Sequence, residues 1–181
     1  MRPGMGKATI LLTAVVLALV LGGGAALAAT VHCGGGNCFG TDGADTMYGT
    51  NRHDAVFAKA GGDFVSGRER GDDLNGQGGE DRILGGPGDD WVKGGDNRDT
   101  VKGNNGNDTL TGGSGRNVIR AADGMRDLVV CGNNSRNLIY YDPGIDRFDN
   151  CVFEESLSSE ERSSGGSSAT TIAFGPGREA E

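Results

Sequence analysis

Aspartate recurs every nine residues through the middle of this chain, at Asp45, Asp54, Asp63, Asp72, Asp81, Asp90, Asp99 and Asp108, with the amide Asn117 at the next place. Carboxylates at a fixed spacing repel unless a counter-charge joins them, and together they are hard oxygen donors suited to a hard cation. No cysteine lies among them, which sets zinc and copper aside. Catalysis is not expected. The two histidines, His32 and His53, fall in an end segment and in a turn without candidate partners. Neither a metalloprotease H-E-x-x-H nor a nucleophile-elbow G-x-S-x-G is present, and little chain remains for a catalytic domain.

The elements that must position these carboxylates repeat with them. Two residues after each stands an apolar residue: Met47, Val56, Val65, Leu74, Ile83, Val92, Val101, Leu110 and Ile119. Two residues before stands glycine at 43, 61, 79, 88, 106 and 115, with Arg52, Arg70 and Asn97 as exceptions. Each nonapeptide thus divides into a glycine-rich turn of six and a strand of three with one inward residue. One apolar residue in nine cannot make a core by itself, but stacked coils align such residues into columns between two sheets.

The unit Gly85-Gly86-Pro87-Gly88-Asp89-Asp90-Trp91-Val92-Lys93 fills every fixed position of G-G-x-G-x-D-x-U-x, where U is apolar. It resembles the haemolysin-type, or RTX, calcium-binding repeat, and the likeness extends with decay over residues 40–122. The resemblance implies an all-β fold, a parallel β-roll or β-solenoid in which two repeats make one coil. It also implies Ca²⁺ between stacked turns, held by the carboxylates of Asp45, Asp63, Asp72, Asp81, Asp90, Asp99 and Asp108. Backbone carbonyls of the glycine turns, with Gly85, Gly86, Gly88, Gly103 and Gly106 in the best pair, complete the implied ligand set. Ca²⁺ takes six to eight such oxygens in flexible geometry. Alternate turns would stack, giving one edge with Asp54, Asp72, Asp90 and Asp108 and another with Asp45, Asp63, Asp81, Asp99 and Asn117. On this reading residues 85–90 over 103–108 form the best pair, and 76–81 beside 94–99 a second, with Arg98 close by. The turns 49–54 and 67–72 carry Arg52, His53, Arg68 and Arg70, so weak binding or a salt bridge is expected there, and fewer ions than repeats.

The flanks differ in character. Residues 1–29 read as a secretory signal: Arg2 and Lys7, an apolar run from Ala8 to Val20, then Ala26-Leu27-Ala28 as a cleavage site. No stable membrane span is expected once it is removed. Residues 30–40 read as an N-terminal cap and 41–122 as the repeat array. Residues 123–154 read as degenerate repeats and a C-terminal cap without good calcium sites, although Val129, Ile139 and Phe148 keep the apolar place. Residues 155–181 read as a disordered acidic tail with a brief apolar interruption at 170–174. Four cysteines in an exported chain allow three pairings; the local one, Cys33–Cys38 and Cys131–Cys151, would staple both ends of the solenoid.

A net charge of -8 over 181 residues argues against a nucleic-acid partner and for a cation. The expected protein is secreted, binds calcium and folds on binding it. The alternative is an extracellular adhesion or polysaccharide-binding scaffold in which calcium is only structural. Tyr48, Phe57, Phe64 and Trp91 at outward strand positions are its candidate contacts with cell-surface polysaccharide or protein.

Overall fold

The computed structural model describes residues 27–132 and 135–151, and the strand 171–174. The proposed signal segment, up to residue 26, lies outside them, as does most of the acidic tail.

Among the described residues there is no helix, and the strands alternate between two parallel sheets. The first sheet holds β1 (Thr30–His32), β3 (Thr46–Tyr48), β5 (Phe64–Ser66), β7 (Arg82–Leu84), β9 (Thr100–Lys102), β11 (Gly115–Arg120), β13 (Ser135–Tyr140) and β15 (Thr171–Phe174), in that order. The second holds β2 (Gly36–Phe39), β4 (Asp54–Phe57), β6 (Asp73–Gly78), β8 (Trp91–Asp96), β10 (Thr109–Gly113), β12 (Leu128–Val130) and β14 (Arg147–Asp149), again in chain order. Two nonapeptides therefore make one coil, passing from sheet to turn to sheet, and the all-β parallel solenoid is as the resemblance implies.

The register shows why. On the first sheet Val31, Met47, Val65, Ile83, Val101, Ile119 and Ile139 pair in succession. On the second, Cys38, Val56, Leu74, Val92, Leu110, Val129 and Phe148 do the same. From Met47 to Ile139 these side chains are essentially excluded from solvent. Each strand contributes its one inward residue to a column, and the two columns together form the core. Past Leu110 the partner moves from eighteen to nineteen residues on, because the turn 121–127 carries one residue more than the others.

Both expected disulfides are present, Cys33–Cys38 in the first coil and Cys131–Cys151 in the last described coils. Two details stand at the ends of the array. Ala29, counted with the leader, donates its N–H to Asp45 Oδ1 at 2.7 Å and accepts one from Thr46 at 2.8 Å. Thr171–Phe174, counted with the disordered tail, is strand β15 beside β13. An exposed edge offers unpaired N–H and C=O groups, and this short apolar, β-branched run is suited to pair with it.

Candidate metal centre

The turns bring the aspartates into two ladders. On one edge Asp54 N–H donates to Asp72 Oδ1, Asp72 to Asp90, Asp90 to Asp108, Asp108 to Asp127 and Asp127 to Asp146, all at 2.8–3.0 Å. On the other, Asp45 N–H donates to Asp63 Oδ1, Asp63 to Asp81, Asp81 to Asp99, and Asp99 to Asn117 Oδ1, at 2.7–2.9 Å. The two edges sort the residues as the sequence implies. From Asp63 and Asp72 onward, one side-chain oxygen of each rung is thus occupied by the backbone of the coil before it; Asp54 Oδ1 is buried without such a partner.

The second oxygen divides the rungs into two kinds. In Asp63, Asp72, Asp81, Asp90, Asp99, Asp108 and Asp127, Oδ2 is buried and has no hydrogen-bond partner. At the ends it is satisfied. Thr41 donates N–H and Oγ1–H to Asp45, and Thr50 donates the same pair to Asp54 Oδ2 at 2.7 and 2.8 Å. Asp146 Oδ2 accepts from Asp142 N at 2.7 Å. Asn117 uses its own amide, donating Nδ2–H to Asn137 Oδ1 at 3.1 Å. Threonine, a backbone N–H and an amide thus close the columns; the interior rungs stay open.

Buried, unpaired carboxylates are costly in the charged form. Burial pushes the carboxyls of Asp63, Asp72 and Asp108 from 3.8 up to about 6, of Asp99 and Asp127 to about 7, and of Asp90 to about 8. Asp81 is raised for the same reason. In each the ladder N–H works the other way, and neighbouring aspartates add to the rise for most. Asp90 carries the largest shift, with Asp108, Asp72 and Asp89 all acting on it.

The basic residues of the early turns do not neutralise these groups. Among the described residues Arg52, Arg68 and Arg70 form no ion pair with the ladder; Arg68 lies 5.5 Å over the Tyr48 ring. His53 Nδ1–H donates to Gly71 O at 2.6 Å, and its Nε2 stands 3.8 Å from Asp73 Oδ2. The expected salt bridge in 49–54 is replaced by Thr50, a signal that was present in the sequence as a threonine four residues before Asp54. In 67–72 Asp72 remains open, with Arg68 and Arg70 held at left-handed φ of 86° and 72°.

The glycines of the best pair leave the space that the carboxylates use. A Cβ on Gly85 would overlap Asp90 Oδ2, and one on Gly103 would overlap Asp108 Oδ2. Gly86, Gly88 and Gly106 have φ of 131°, 139° and 143°, and a Cβ on each would strike the backbone of the preceding coil. Gly86 and Gly88 donate N–H to Gly103 O and Asn105 O at 2.9 and 2.8 Å, leaving each carbonyl a further lone pair. Orphaned buried oxygens, close carbonyls and an absence of soft donors fit a hard divalent cation such as Ca²⁺.

A family model described as the RTX calcium-binding nonapeptide repeat (4 copies) matches residues 39–69, 66–101 and 93–124. Residues 39–124 are RTX calcium-binding repeats. No curated protein and no solved structure matches the chain. The ladder runs past the RTX match, through Asp127 to Asp146.

The outward aromatics are split between the two faces of the RTX solenoid. Tyr48 stacks on His32 at 5.4 Å and meets Phe64 at 6.0 Å on the first sheet. Phe57 stacks on Phe39 at 5.3 Å on the second, with Trp91 two strands further along that sheet. They do not make one patch of four.

Proposed function

We propose that this is an exported, non-catalytic calcium-binding protein whose RTX array folds when its open rungs take up Ca²⁺. The observation that carries this reading is the set of buried, unpartnered Oδ2 atoms at successive interior rungs of both ladders, in repeats of a calcium-binding family. Asp63, Asp81 and Asp99 on one edge, and Asp72, Asp90 and Asp108 on the other, would hold the ions with turn carbonyls. Asp45, being capped by Thr41 and Ala29, would not need one. Bound calcium supplies the counter-charge; the chain's own residues align the oxygens, exclude water and provide the apolar columns. Because an ion-free array has little apolar surface per residue and repelling carboxylates, binding energy becomes folding energy.

Export is supported by the N-terminal composition and by two disulfides, which persist in oxidising compartments. Among the described residues no helix is long and apolar enough to cross a membrane. The test is far-UV circular dichroism of the disulfide-bonded chain titrated with Ca²⁺ and, separately, Mg²⁺. A cooperative gain of β signal with Ca²⁺ alone is expected. Full β signal in chelator would sink ion-driven folding and favour the scaffold reading, in which the His32, Tyr48 and Phe64 row serves a polysaccharide or protein partner.

A further inference from the structure

We infer that Asp108, Asp123 and Asp127 form a three-carboxylate site for a hard divalent cation at the C-terminal boundary of the repeats, and that it is the tightest site of the chain. One carboxylate oxygen from each lies within 4.8 Å of the other two. Asp108 and Asp127 are each 1 % exposed, and all three residues have a buried Oδ2 without a hydrogen-bond partner.

Asp123 is outside the nonapeptide rhythm. It stands third in the turn 121–127, where the turns stacked before it carry Pro87 and Asn105. The extra residue of this turn gives it room. Its orientation is fixed from two sides: Asp123 Oδ1 accepts Met125 N–H at 2.7 Å, and Asp142 Oδ2 accepts the N–H of Asp123 and Gly124 at 2.8 and 2.6 Å. The first oxygens of Asp108 and Asp127 are held by the ladder. What remains is one unpartnered oxygen on each of three carboxylates that lie together.

Nothing cationic answers them. The neighbouring charges that act on Asp108 and Asp127 are Asp89 and Asp146, also acidic, and among the described residues no lysine, arginine or histidine pairs with any of the three. Three ionised carboxylates so placed repel one another and favour a cation between them, and oxygen-only donors select Ca²⁺ over softer metals. An ordinary pair of stacked rungs supplies two carboxylates. The third raises the charge of the ligand set, which is how calcium affinity is tuned in oxygen cages. The sequence placed good sites only within the glycine-rich turns; this one is built where the glycine pattern has already failed.

The site rests on the calcium reading only for the choice of ion, and the two are separable by calorimetric Ca²⁺ titration of the disulfide-bonded chain. Asp123→Asn keeps an acceptor for Met125 N–H and lies outside both ladders. It is expected to weaken the tightest binding event about tenfold or more, while β signal at saturating Ca²⁺ stays as in the parent. Asp90→Asn is expected to leave that event in place and remove a weaker one. Several binding events unchanged by Asp123→Asn would overturn this site and leave the repeats standing. A single event, lost in Asp123→Asn and kept in Asp90→Asn, would support the site and sink the repeat reading. Should Asp123→Asn fail to fold, Asp123→Ser, which also retains a short acceptor, gives the same comparison; a parent chain that binds no Ca²⁺ overturns both.

Discussion

Asp45 and Asp90 occupy the same place in the repeat but do different work. Asp45 accepts from Ala29 and Thr41, whereas Asp90 Oδ2 accepts from nothing. Asp90→Ala is therefore expected to shift the Ca²⁺ midpoint of folding upward by far more than Asp45→Ala. Asp45→Ala should instead lower stability at saturating Ca²⁺, by about 1–3 kcal/mol for donors left without an acceptor. Equal midpoints in the two titrations would refute the division into open and capped rungs. A second residue-level outcome concerns the backbone. Gly88 sits at φ 139°, pressed against Arg70, a conformation that side chains rarely adopt, so Gly88→Ala should cost about 1–3 kcal/mol. Arg70, at the matching place in the previous turn of that edge, has φ 72°. Arg70→Gly should stabilise the calcium-loaded chain by about 1 kcal/mol, seen as a higher denaturant midpoint.

At the scale of the turn and its two strands, the open rungs make the ion-free array sensitive to pH in an unusual direction. Burial holds Asp63, Asp72 and Asp108 at about 6, Asp99 and Asp127 at about 7 and Asp90 at about 8, against 3.8. Between pH 4 and 8 the folded array then keeps protons that the unfolded chain has released, so stability falls as pH rises through that window. In chelator, β signal should be greatest near pH 4–5 and decline towards pH 8. With Ca²⁺ present the slope should reverse, because ligation needs the ionised carboxylates and expels their protons. A calcium-free β signal that rises from pH 5 to 8 would contradict the buried, unpaired state of these groups. Much of this was legible beforehand: the apolar columns follow from the repeat period, the two edges from the resemblance to RTX repeats, and the local disulfides were one of three pairings that the four cysteines allow. The rest depended on orientation across coils. No linear pattern shows that Asp72 N–H takes Asp90 Oδ1, or that Asp123 turns back towards Asp108. Thr41 and Thr50 were visible as departures from glycine, and their hydroxyls explain Asp45 and Asp54 without the salt bridges expected from Arg52.

A solenoid in which each coil touches only its neighbours is limited by its ends, and here both ends are closed by the chain itself. Cys33–Cys38 and Thr41 with Thr50 stand at the start; Cys131–Cys151, Asn137 and Asp142 stand at the other. On the proposed function it is then the open rungs in the middle of the molecule that take up calcium. The first coil has one further feature that bears on the proposed removal of a leader. Removal of a leader after Ala28 would leave Ala29 as the first residue, and its nitrogen already lies 2.7 Å from Asp45 Oδ1. The amide donor would become an ammonium, and the top rung of that column would gain its own positive charge. Such a pair, partly exposed, is worth about 0.2–1 kcal/mol. It raises the amine above its usual value of about 8, so its contribution is full below pH 8 and is lost as pH climbs past the raised value. Chain beginning at Ala29 should therefore melt higher at pH 7 than the same chain with Ala29 acetylated, and the gap should close by about pH 10. An equal melting temperature at pH 7, or a mature N-terminus found well beyond Ala29 by mass spectrometry, would remove the ammonium from the account of the first coil and leave Thr41 alone to cap Asp45.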